Sequence, residues 1–204
     1  WAVVLALKCS VIIPNGIPPT RFIQLLIFYM RHTQLAQFLN KSREFGKLIH
    51  GSVSMAHGLA TKAEYAGSWR SDAMVCPKGI FEVISIHPID LLCYTFGNCT
   101  HIENRLTNLS GVGTAPDTAF TKLKFDSEGE VDIFASYSAP YKFNWGLVFE
   151  NGLVEINENG MQAYSPRDTF NEFGFFERPP IDFELKLNHD IDNKSSLENS
   201  VKYF

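Results

Sequence analysis

The stretch that determines the fold covers residues 119–137 and reads AFTKLKFDSEGEVDIFASY. Apolar or small side chains alternate with more polar ones on both sides of a turn at residues 126–129, first at positions 119, 121, 123 and 125, then at 131, 133, 135 and 137. Successive side chains of a strand point to opposite faces, so this period of two indicates two antiparallel strands with one buried face. The stretch predicts a β-hairpin.

The segments that follow continue the hairpin pattern. Short apolar runs separated by Asn-Gly turns are typical of antiparallel strands joined in sequence. The runs lie at residues 143–149, 153–156 and 161–164, and residues 184–187 are predicted to add an edge strand.

A single strong helix is predicted in the central region, over residues 79–96, and Gly97 is placed to end it. Residues 48–55 favour a strand because they are β-branched in part and flanked by glycine, and residues 195–204 begin a terminal helix. Strands and helices do not alternate. The sequence therefore predicts an α+β fold, a mainly antiparallel sheet of hairpins with one face covered by helices.

Composition limits the class of protein. The 204 residues are 45% hydrophobic, which supports a folded domain, and the net charge of −4 with scattered Lys and Arg argues against binding to nucleic acid. The four cysteines form no C-x-x-C pair and have no zinc-ligand spacing, so no metal is predicted, and free thiols suit the cytoplasm. The apolar runs near the start are shorter than the roughly 20 residues that span a membrane.

The candidate reactive residue is His87, on the predicted helix. A neutral imidazole can accept or relay the proton of an alcohol, although a buried histidine bonded to a backbone carbonyl is an equally open interpretation. Arg70 and Lys78 could bind a carboxylate or phosphate of a substrate. Trp69, beside Arg70, is predicted to lie near the same substrate.

The order of these residues resembles a known family. Trp69-Arg70, a polar gap, Gly79, an apolar helix, His87 and then Ile-Asp-Leu-Leu at residues 89–92 are similar to the C-terminal domain of the Gfo/Idh/MocA oxidoreductases. This is the family of glucose-fructose oxidoreductase and inositol dehydrogenase. The resemblance covers roughly residues 43–203.

The resemblance implies a function. It implies an oxidoreductase that uses NAD or NADP on a sugar or nucleotide-sugar hydroxyl, in carbohydrate or surface-polysaccharide metabolism, with His87 as a catalytic residue. It also implies a homo-oligomer formed through the open sheet face. Within the segment Tyr-Met-Arg-His, Arg31 is the residue that the resemblance places near the cofactor.

The sequence departs from the family pattern at three places. Val83 stands where the family has an acid four residues before the histidine, and Glu82 would lie about 140° from His87 on a regular helix. Glu82 can therefore act as the partner of His87 only if the helix is irregular, and Pro88 could disturb it. No Glu-Lys-Pro turn is present, and no G-x-G-x-x-G follows a strand, so this chain alone is not expected to bind NAD.

These departures leave three hypotheses. Residues 1–42 are predicted to be a remnant of the N-terminal nucleotide-binding domain or a linker, and residues 43–204 the C-terminal substrate domain. The chain is then part of a dehydrogenase, a non-catalytic oligomerisation or binding module, or an inactive fragment of such an enzyme. A chain that opens on Trp1 reads as a fragment.

Overall fold

The computed structural model describes residues 34–126 and 129–186. Its helical elements are α1 (Gln34–Ser42), the single turn α2 (Ala63–Ala66), and a π-helical turn (Phe81–Ser85) that continues directly into α3 (Ile86–Phe96). The strands are β1 (Leu48–Ala56), β2 (Cys99–Thr107), β3 (Thr118–Phe125), β4 (Glu130–Ser136), β5 (Lys142–Phe149), β6 (Gly152–Asn157), β7 (Gly160–Tyr164) and β8 (Ile181–Leu185).

The strands form one eight-stranded mixed sheet in the order β2-β3-β4-β1-β5-β6-β7-β8. The hairpin expected from the opening stretch is confirmed as β3 and β4, with Leu123 opposite Val131 and Ala119 opposite Ala135. The pairs β5–β6, β6–β7 and β7–β8 are also antiparallel. β1 is inserted between β4 and β5, and it runs parallel to β4.

One face of the sheet is buried under helices, as expected. Trp145, Leu147 and Leu123 are fully buried on the strands, and they share a core with Leu91 and Leu92 of α3. Burial of large apolar side chains is the main favourable contribution to folding, and the alternation of the strands directs these side chains to one side. The α+β fold predicted from the sequence is confirmed.

Helix α1 joins the same core. Its apolar side chains, including Phe38 and Leu39, are buried, and the Phe38 ring lies 4.9 Å from the Phe183 ring of β8. The boundary at residues 42/43 stays a prediction, and the terminal helix expected at residues 195–204 lies outside the described residues. None of the helices in the described ranges is long and apolar enough to cross a membrane.

The opposite, open face of the sheet carries charges and aromatic rings. Lys122 lies 3.3 Å from Glu130 and 3.4 Å from Asp132 on the neighbouring strand. The rings of Phe120 and Phe134 lie 5.4 Å apart. These residues, with their neighbours on β1 and β2, border a shallow groove of about 450 Å³.

Candidate functional site

The turn that carries Trp69 and Arg70 is a single 3-10 turn, Trp69–Ser71. The Arg70 guanidinium lies 4.4 Å from the centre of the Trp69 ring, and the Trp69 side chain is 45% exposed. A cation on an aromatic face is held by the ring's quadrupole, so Trp69 orients the guanidinium. Trp69 and Arg70 are thus in contact with each other, and their role in binding a substrate stays a prediction.

The connection between β2 and β3 is hydrogen-bonded to this turn. The backbone amides of Thr114 and Ala115 donate to the Ser71 carbonyl oxygen at 2.7 and 2.9 Å. The connection is itself shaped by Asp117, whose carboxylate accepts from the amides of Leu109 at 2.9 Å and Ser110 at 2.8 Å. Burial alone would raise the pKa of Asp117, but these hydrogen bonds outweigh it and hold the pKa below its ordinary value.

We expect Asp117→Asn to lower the free energy of unfolding at pH 7 by about 1–3 kcal/mol, because an amide NH₂ group would face one of the backbone donors. The folded-state pKa of Asp117 lies below its ordinary 3.8, so its contribution is present above pH 3.8 and is lost as the pH falls further. Urea unfolding at pH 7 and below pH 3.8 measures this difference. Asp168→Asn, at an exposed loop position, is the control; equal losses in both variants would contradict the assignment.

The helix that carries His87 begins at a tight junction around Gly79. Gly79 has a φ of 51°, and the next amide, that of Ile80, donates to the Pro116 carbonyl oxygen at 3.0 Å. The Glu82 carboxylate accepts from the Lys78 amide at 2.9 Å and so closes the first turn. The Lys78 side chain is exposed to solvent beside this turn.

Cys76 lies between Arg70 and the start of this helix. Burial raises the pKa of its thiol to about 12, and the neighbouring Glu82 carboxylate adds to the rise, while Arg70 acts in the opposite direction. The thiol is therefore protonated at pH 7 and is a poor nucleophile. Glu82 and Arg70 are therefore both close enough to Cys76 to act on its pKa.

The turn before His87 is a π turn, which the sequence did not predict. The Ile86 amide donates to the Phe81 carbonyl oxygen, five residues earlier instead of four. Such turns insert one extra residue into a helix and often occur at functional sites. The helix expected over residues 79–96 is thus present, with an irregular first turn.

His87 is mostly buried on the second position of α3. Burial lowers the pKa of its imidazole, and the Val83 backbone opposes this in part, so the ring is neutral at pH 7. Its Nδ1 atom is buried and makes no hydrogen bond with any of the described residues. Because Nδ1 is buried, contact of the ring with a bound molecule would have to use the other ring nitrogen, Nε2.

The π turn changes the relation between Glu82 and His87. On a regular helix, residues five apart diverge by about 140°, whereas closure over five residues brings them towards one face. The Glu82 carboxylate nevertheless bonds the Lys78 amide, and it is not among the groups that shift the pKa of His87. The Glu82–His87 pair therefore stays a prediction.

Three further residues, which sequence reasoning missed, lie together, and Arg70 is close enough to act on the pKa of each of them. The His57 ring lies 5.1 Å from the Tyr137 ring, and the Tyr65 ring meets Tyr137 edge-on at 5.7 Å. His57 directly follows β1 and Tyr137 directly follows β4, so the parallel pairing of these strands places them side by side. The only sequence feature that pointed to any of them was the alternation of apolar and polar residues that runs through β4 and ends at Tyr137.

Two segments bear on cofactor binding. The Gly111–Gly113 segment joins the antiparallel strands β2 and β3, and no helix of the described chain follows it, so it has no dinucleotide-binding geometry. Arg31 lies outside the described residues. The residues that the structure describes offer no turn at which a dinucleotide phosphate would fit.

The fold is a mixed sheet of hairpins with one face covered by helices, an α+β domain. The family model described as the GFO/IDH/MocA C-terminal domain matches residues 33–155, more than half of the chain. The chain belongs to the Gfo/Idh/MocA oxidoreductase family.

Solved structures share the fold at low sequence identity. Levoglucosan dehydrogenase in complex with NADH and levoglucosan has a TM-score of 0.63 at 13% identity, over 87% of this chain and 53% of that chain. An inositol dehydrogenase homolog complexed with NAD+ from Azotobacter vinelandii has a TM-score of 0.60 at 13% identity, over 78% and 42%. An NAD binding oxidoreductase from Klebsiella pneumoniae has a TM-score of 0.60 at 15% identity, over 83% and 48%.

The chain spans about half the length of these solved structures. The comparison with curated proteins gave no match.

Proposed function

We propose that this chain is the substrate-binding part of an NAD(P)-dependent oxidoreductase that acts on a sugar or nucleotide-sugar hydroxyl in the cytoplasm. The observation that carries the proposal is the mostly buried, neutral His87 on an irregular helix of a Gfo/Idh/MocA domain. The names of levoglucosan dehydrogenase and the inositol dehydrogenase homolog support a sugar or polyol substrate. Surface-polysaccharide metabolism is the biological setting that we propose.

His87 accepts the proton of the substrate hydroxyl in this proposal. A general base must be unprotonated at the working pH, and burial keeps the imidazole of His87 neutral by lowering its pKa. The acceptor in this proposal is Nε2, because Nδ1 is buried. Glu82, brought towards the same face by the π turn, is the proposed carboxylate that steadies the resulting imidazolium.

Trp69, Arg70 and Lys78 bind the substrate in this proposal. The guanidinium is held on the Trp69 ring at 4.4 Å, and the exposed half of Trp69 offers an apolar surface to a sugar ring. Lys78 is exposed at the start of the helix that bears His87 and supplies a second positive charge.

NAD or NADP is the proposed cofactor, but the described residues offer it no phosphate-binding turn. Gly111 and Gly113 lie between antiparallel strands, so the cofactor must be held elsewhere, and Arg31 stays the proposed contact outside the described residues. In this proposal, the described residues bind the substrate and accept the proton of its hydroxyl group.

The open sheet face is the proposed surface for a homo-oligomer. Lys122 on β3 and the acids Glu130 and Asp132 on β4 give it both signs of charge, which two copies of one surface could match, and Phe120 and Phe134 add an apolar centre. If the chain has no activity of its own, this face supports the second candidate function, a non-catalytic assembly module. Lys122→Glu is expected to abolish a dimer in light scattering.

The proposed function is tested by following reduction of NAD+ and NADP+ spectroscopically with a panel of sugars, polyols and nucleotide sugars, using the intact protein. We expect turnover with a polyhydroxylated substrate and none with a simple alcohol, because the binding residues recognise several substrate groups. A stable oligomer that turns over no member of the panel with either cofactor would favour the assembly module instead.

A further inference from the structure

The connection between β7 and β8 exposes four phenylalanine rings. This connection covers residues 165–180 and is called here the aromatic loop. The exposed fractions of the four side chains run from 54% to 87%, and the residues are Phe170, Phe173, Phe175 and Phe176. Contiguous apolar patches are uncommon on the surface of soluble proteins, and they mark places where a partner binds.

The aromatic loop has a defined conformation. The side-chain oxygen of Asn171 accepts from the amides of Phe173 and Phe175, each at 3.0 Å, and the Asn171 amide donates to the Phe175 carbonyl oxygen at 2.9 Å. Phe170 and Phe176 form an antiparallel bridge, and their rings lie 5.0 Å apart. Because the loop is already ordered, presenting its rings to a partner costs little additional conformational entropy.

The aromatic loop lies at the opposite end of the sheet from the residues proposed to bind the substrate. The register of β1, β5, β6 and β7 places Tyr164, the last residue of β7, at the end of the sheet where β1 begins with Leu48. The turn Trp69–Ser71 is hydrogen-bonded to Thr114, just before β3, at the end where β1 finishes with Ala56. The loop is therefore separate from the proposed substrate site.

An apolar row runs from the aromatic loop across half of the open face. The members of this row are register partners on β5, β6, β7 and β8, in the order Val148, Leu153, Tyr164 and Ile181. Arg178, near the end of the loop, lies 4.1 Å from the centre of the Tyr164 ring and pairs with Glu155 of β6. The loop thus folds against the open face and adds its rings to this row.

The charges of the aromatic loop limit the kind of partner. Asp168, Glu172 and Glu177 are exposed, and none of them forms an ion pair within the described ranges. The two arginines of the loop, Arg167 and Arg178, each bond an oxygen of the β5–β6 hairpin. Three carboxylates would repel an anionic membrane, so the rings fit a protein surface that offers apolar contact and an unpaired positive charge.

The groove on the other half of the open face has this chemistry. It is the groove of about 450 Å³ over β1, β2, β3 and β4, and the rings of Phe120 and Phe134 form part of its lining. Lys122 is paired with carboxylates of β4 and lies opposite Glu103 of β2. The Arg105 guanidinium lies 4.4 Å from the centre of the Phe120 ring and forms no ion pair with the residues that the structure describes.

The loop and the groove lie on opposite halves of one face. The strand order β2-β3-β4-β1-β5-β6-β7-β8 puts four strands on each side of the contact between β1 and β5. A two-fold axis parallel to the strands, above this contact, places the β7–β8 edge of one copy over β2 and β3 of another. Each loop then meets the half of its partner that carries the groove, and the assembly closes as a dimer.

The open face is large enough for such a contact. Its eight strands contain between five and nine residues each. With strands about 4.8 Å apart and about 3.3 Å per residue, the face covers roughly 800 Å². A stable interface buries about this area on each partner.

We propose that the aromatic loop docks on a second copy of this chain, with its phenylalanine rings in the partner's groove and its carboxylates facing the partner's Arg105. Aromatic rings pack edge-to-face and contribute more than their buried area alone, so the rings of the loop match the Phe120–Phe134 pair. The inference rests on the proposed homo-oligomer only in placing the contact on the open face. The loop, and not the sheet alone, then determines which partner binds.

The direct test is photo-crosslinking of the intact protein with benzoylphenylalanine incorporated at position 176, in an equal mixture of isotope-labelled and unlabelled copies. Mass spectrometry identifies the crosslinked peptides, and mixed isotopes show that two copies were joined. We expect mixed-isotope crosslinks from position 176 to peptides of β2, β3 or β4. Crosslinks that stay within one copy, or that reach only other surfaces of the second copy, overturn the proposal.

Loop variants measure how much the rings contribute to the dimer. Phe173→Ser combined with Phe176→Ser is expected to raise the dissociation constant of the dimer about 30-fold or more, the scale of a lost hot-spot residue. Sedimentation equilibrium measures this constant. The control combines Met74→Ser with Leu109→Ser, which also removes two exposed apolar side chains, in connections outside the strands. An unchanged dissociation constant in the loop variant overturns the proposal.

Failure of this inference is distinguishable from failure of the proposed function. A dimer that survives in the loop variant but is lost in Lys122→Glu retains the open-face oligomer and rejects docking of the loop. A protein that is monomeric at every concentration overturns both, and cosedimentation with phosphatidylcholine vesicles then shows whether the rings bind a lipid surface instead. Turnover of a sugar by such a monomer leaves the proposed oxidoreductase intact.

Discussion

His87→Ala is expected to lower kcat of the intact enzyme by about 10²-fold or more, the usual effect of removing a general acid or base. The physical reason is that His87 is the neutral, mostly buried group proposed to receive the proton. Steady-state kinetics with the best substrate of the panel measures the effect. Circular dichroism confirms that the variant is folded.

The pH profile provides an independent check of this role. Since burial lowers the pKa of His87 below its ordinary 6.5, we expect activity to be retained at pH 6.5 and to fall only as the pH drops further. His101→Ala, on the exposed part of strand β2, is the matched control and is expected to keep both the rate and the profile. Unchanged turnover in folded His87→Ala would reject the assignment.

Glu82→Gln distinguishes between two roles of the Glu82 side chain, which are stabilising the protonated His87 and closing the first turn of the helix. Glutamine can still accept from the Lys78 amide, so the first turn of the helix is kept, while the negative charge is lost. If Glu82 steadies the protonated imidazole, kcat falls and the acidic limb of the pH profile moves to lower pH. If it serves only to close the turn, kinetics are unchanged, and Glu82 is then not a partner of His87.

Gly79→Ala is expected to lower the free energy of unfolding by about 2–5 kcal/mol, from left-handed backbone strain together with a steric clash. Gly79 has a φ of 51°, and a Cβ atom there would overlap the Pro116 carbonyl oxygen, which is backbone and cannot rotate away. The same carbonyl accepts from the Ile80 amide at 3.0 Å. Because this junction positions the helix of His87, turnover is expected to fall as well.

Gly97→Ala is the matched control for Gly79→Ala. Gly97 also has a positive φ, 91°, but no atom lies within 4 Å of the Cβ position. We expect this variant to lose only the backbone strain, about 1–2 kcal/mol, and to keep its kinetic constants. Chemical denaturation of both variants measures the difference, and equal losses would show that the contact with Pro116 is relieved by a small movement.

Local sequence patterns predicted the sheet well because hairpins are local structures. Neighbouring strands joined by short turns reveal both the period of two and the turn residues within one stretch, as β3 and β4 do. The apolar helix before Gly97 was recognisable for the same reason. The edge strand, expected at residues 184–187, is observed at Ile181–Leu185, since edge strands have little burial to mark their ends.

The π turn could not be predicted, because it depends on how the helix fits the rest of the molecule. Pro88 indicated that the hydrogen-bond ladder could be disturbed, but not that Phe81–Ser85 would close over five residues. This turn packs against β3 and β4, so its geometry is set by those strands as much as by its own sequence. The relation of Glu82 to His87 therefore follows from tertiary contacts.

The sequence by itself determined the α+β class, the hairpins, the helix of His87 and the family, since each depends on patterns within a short stretch or on the order of such stretches. The tertiary structure decided which residues meet. Strand β1 pairs in parallel with β4 far along the chain, and this brings His57 and Tyr137 together with Arg70. Pairing between distant strands leaves no local pattern, because its energy comes from contacts that form only when the sheet is assembled.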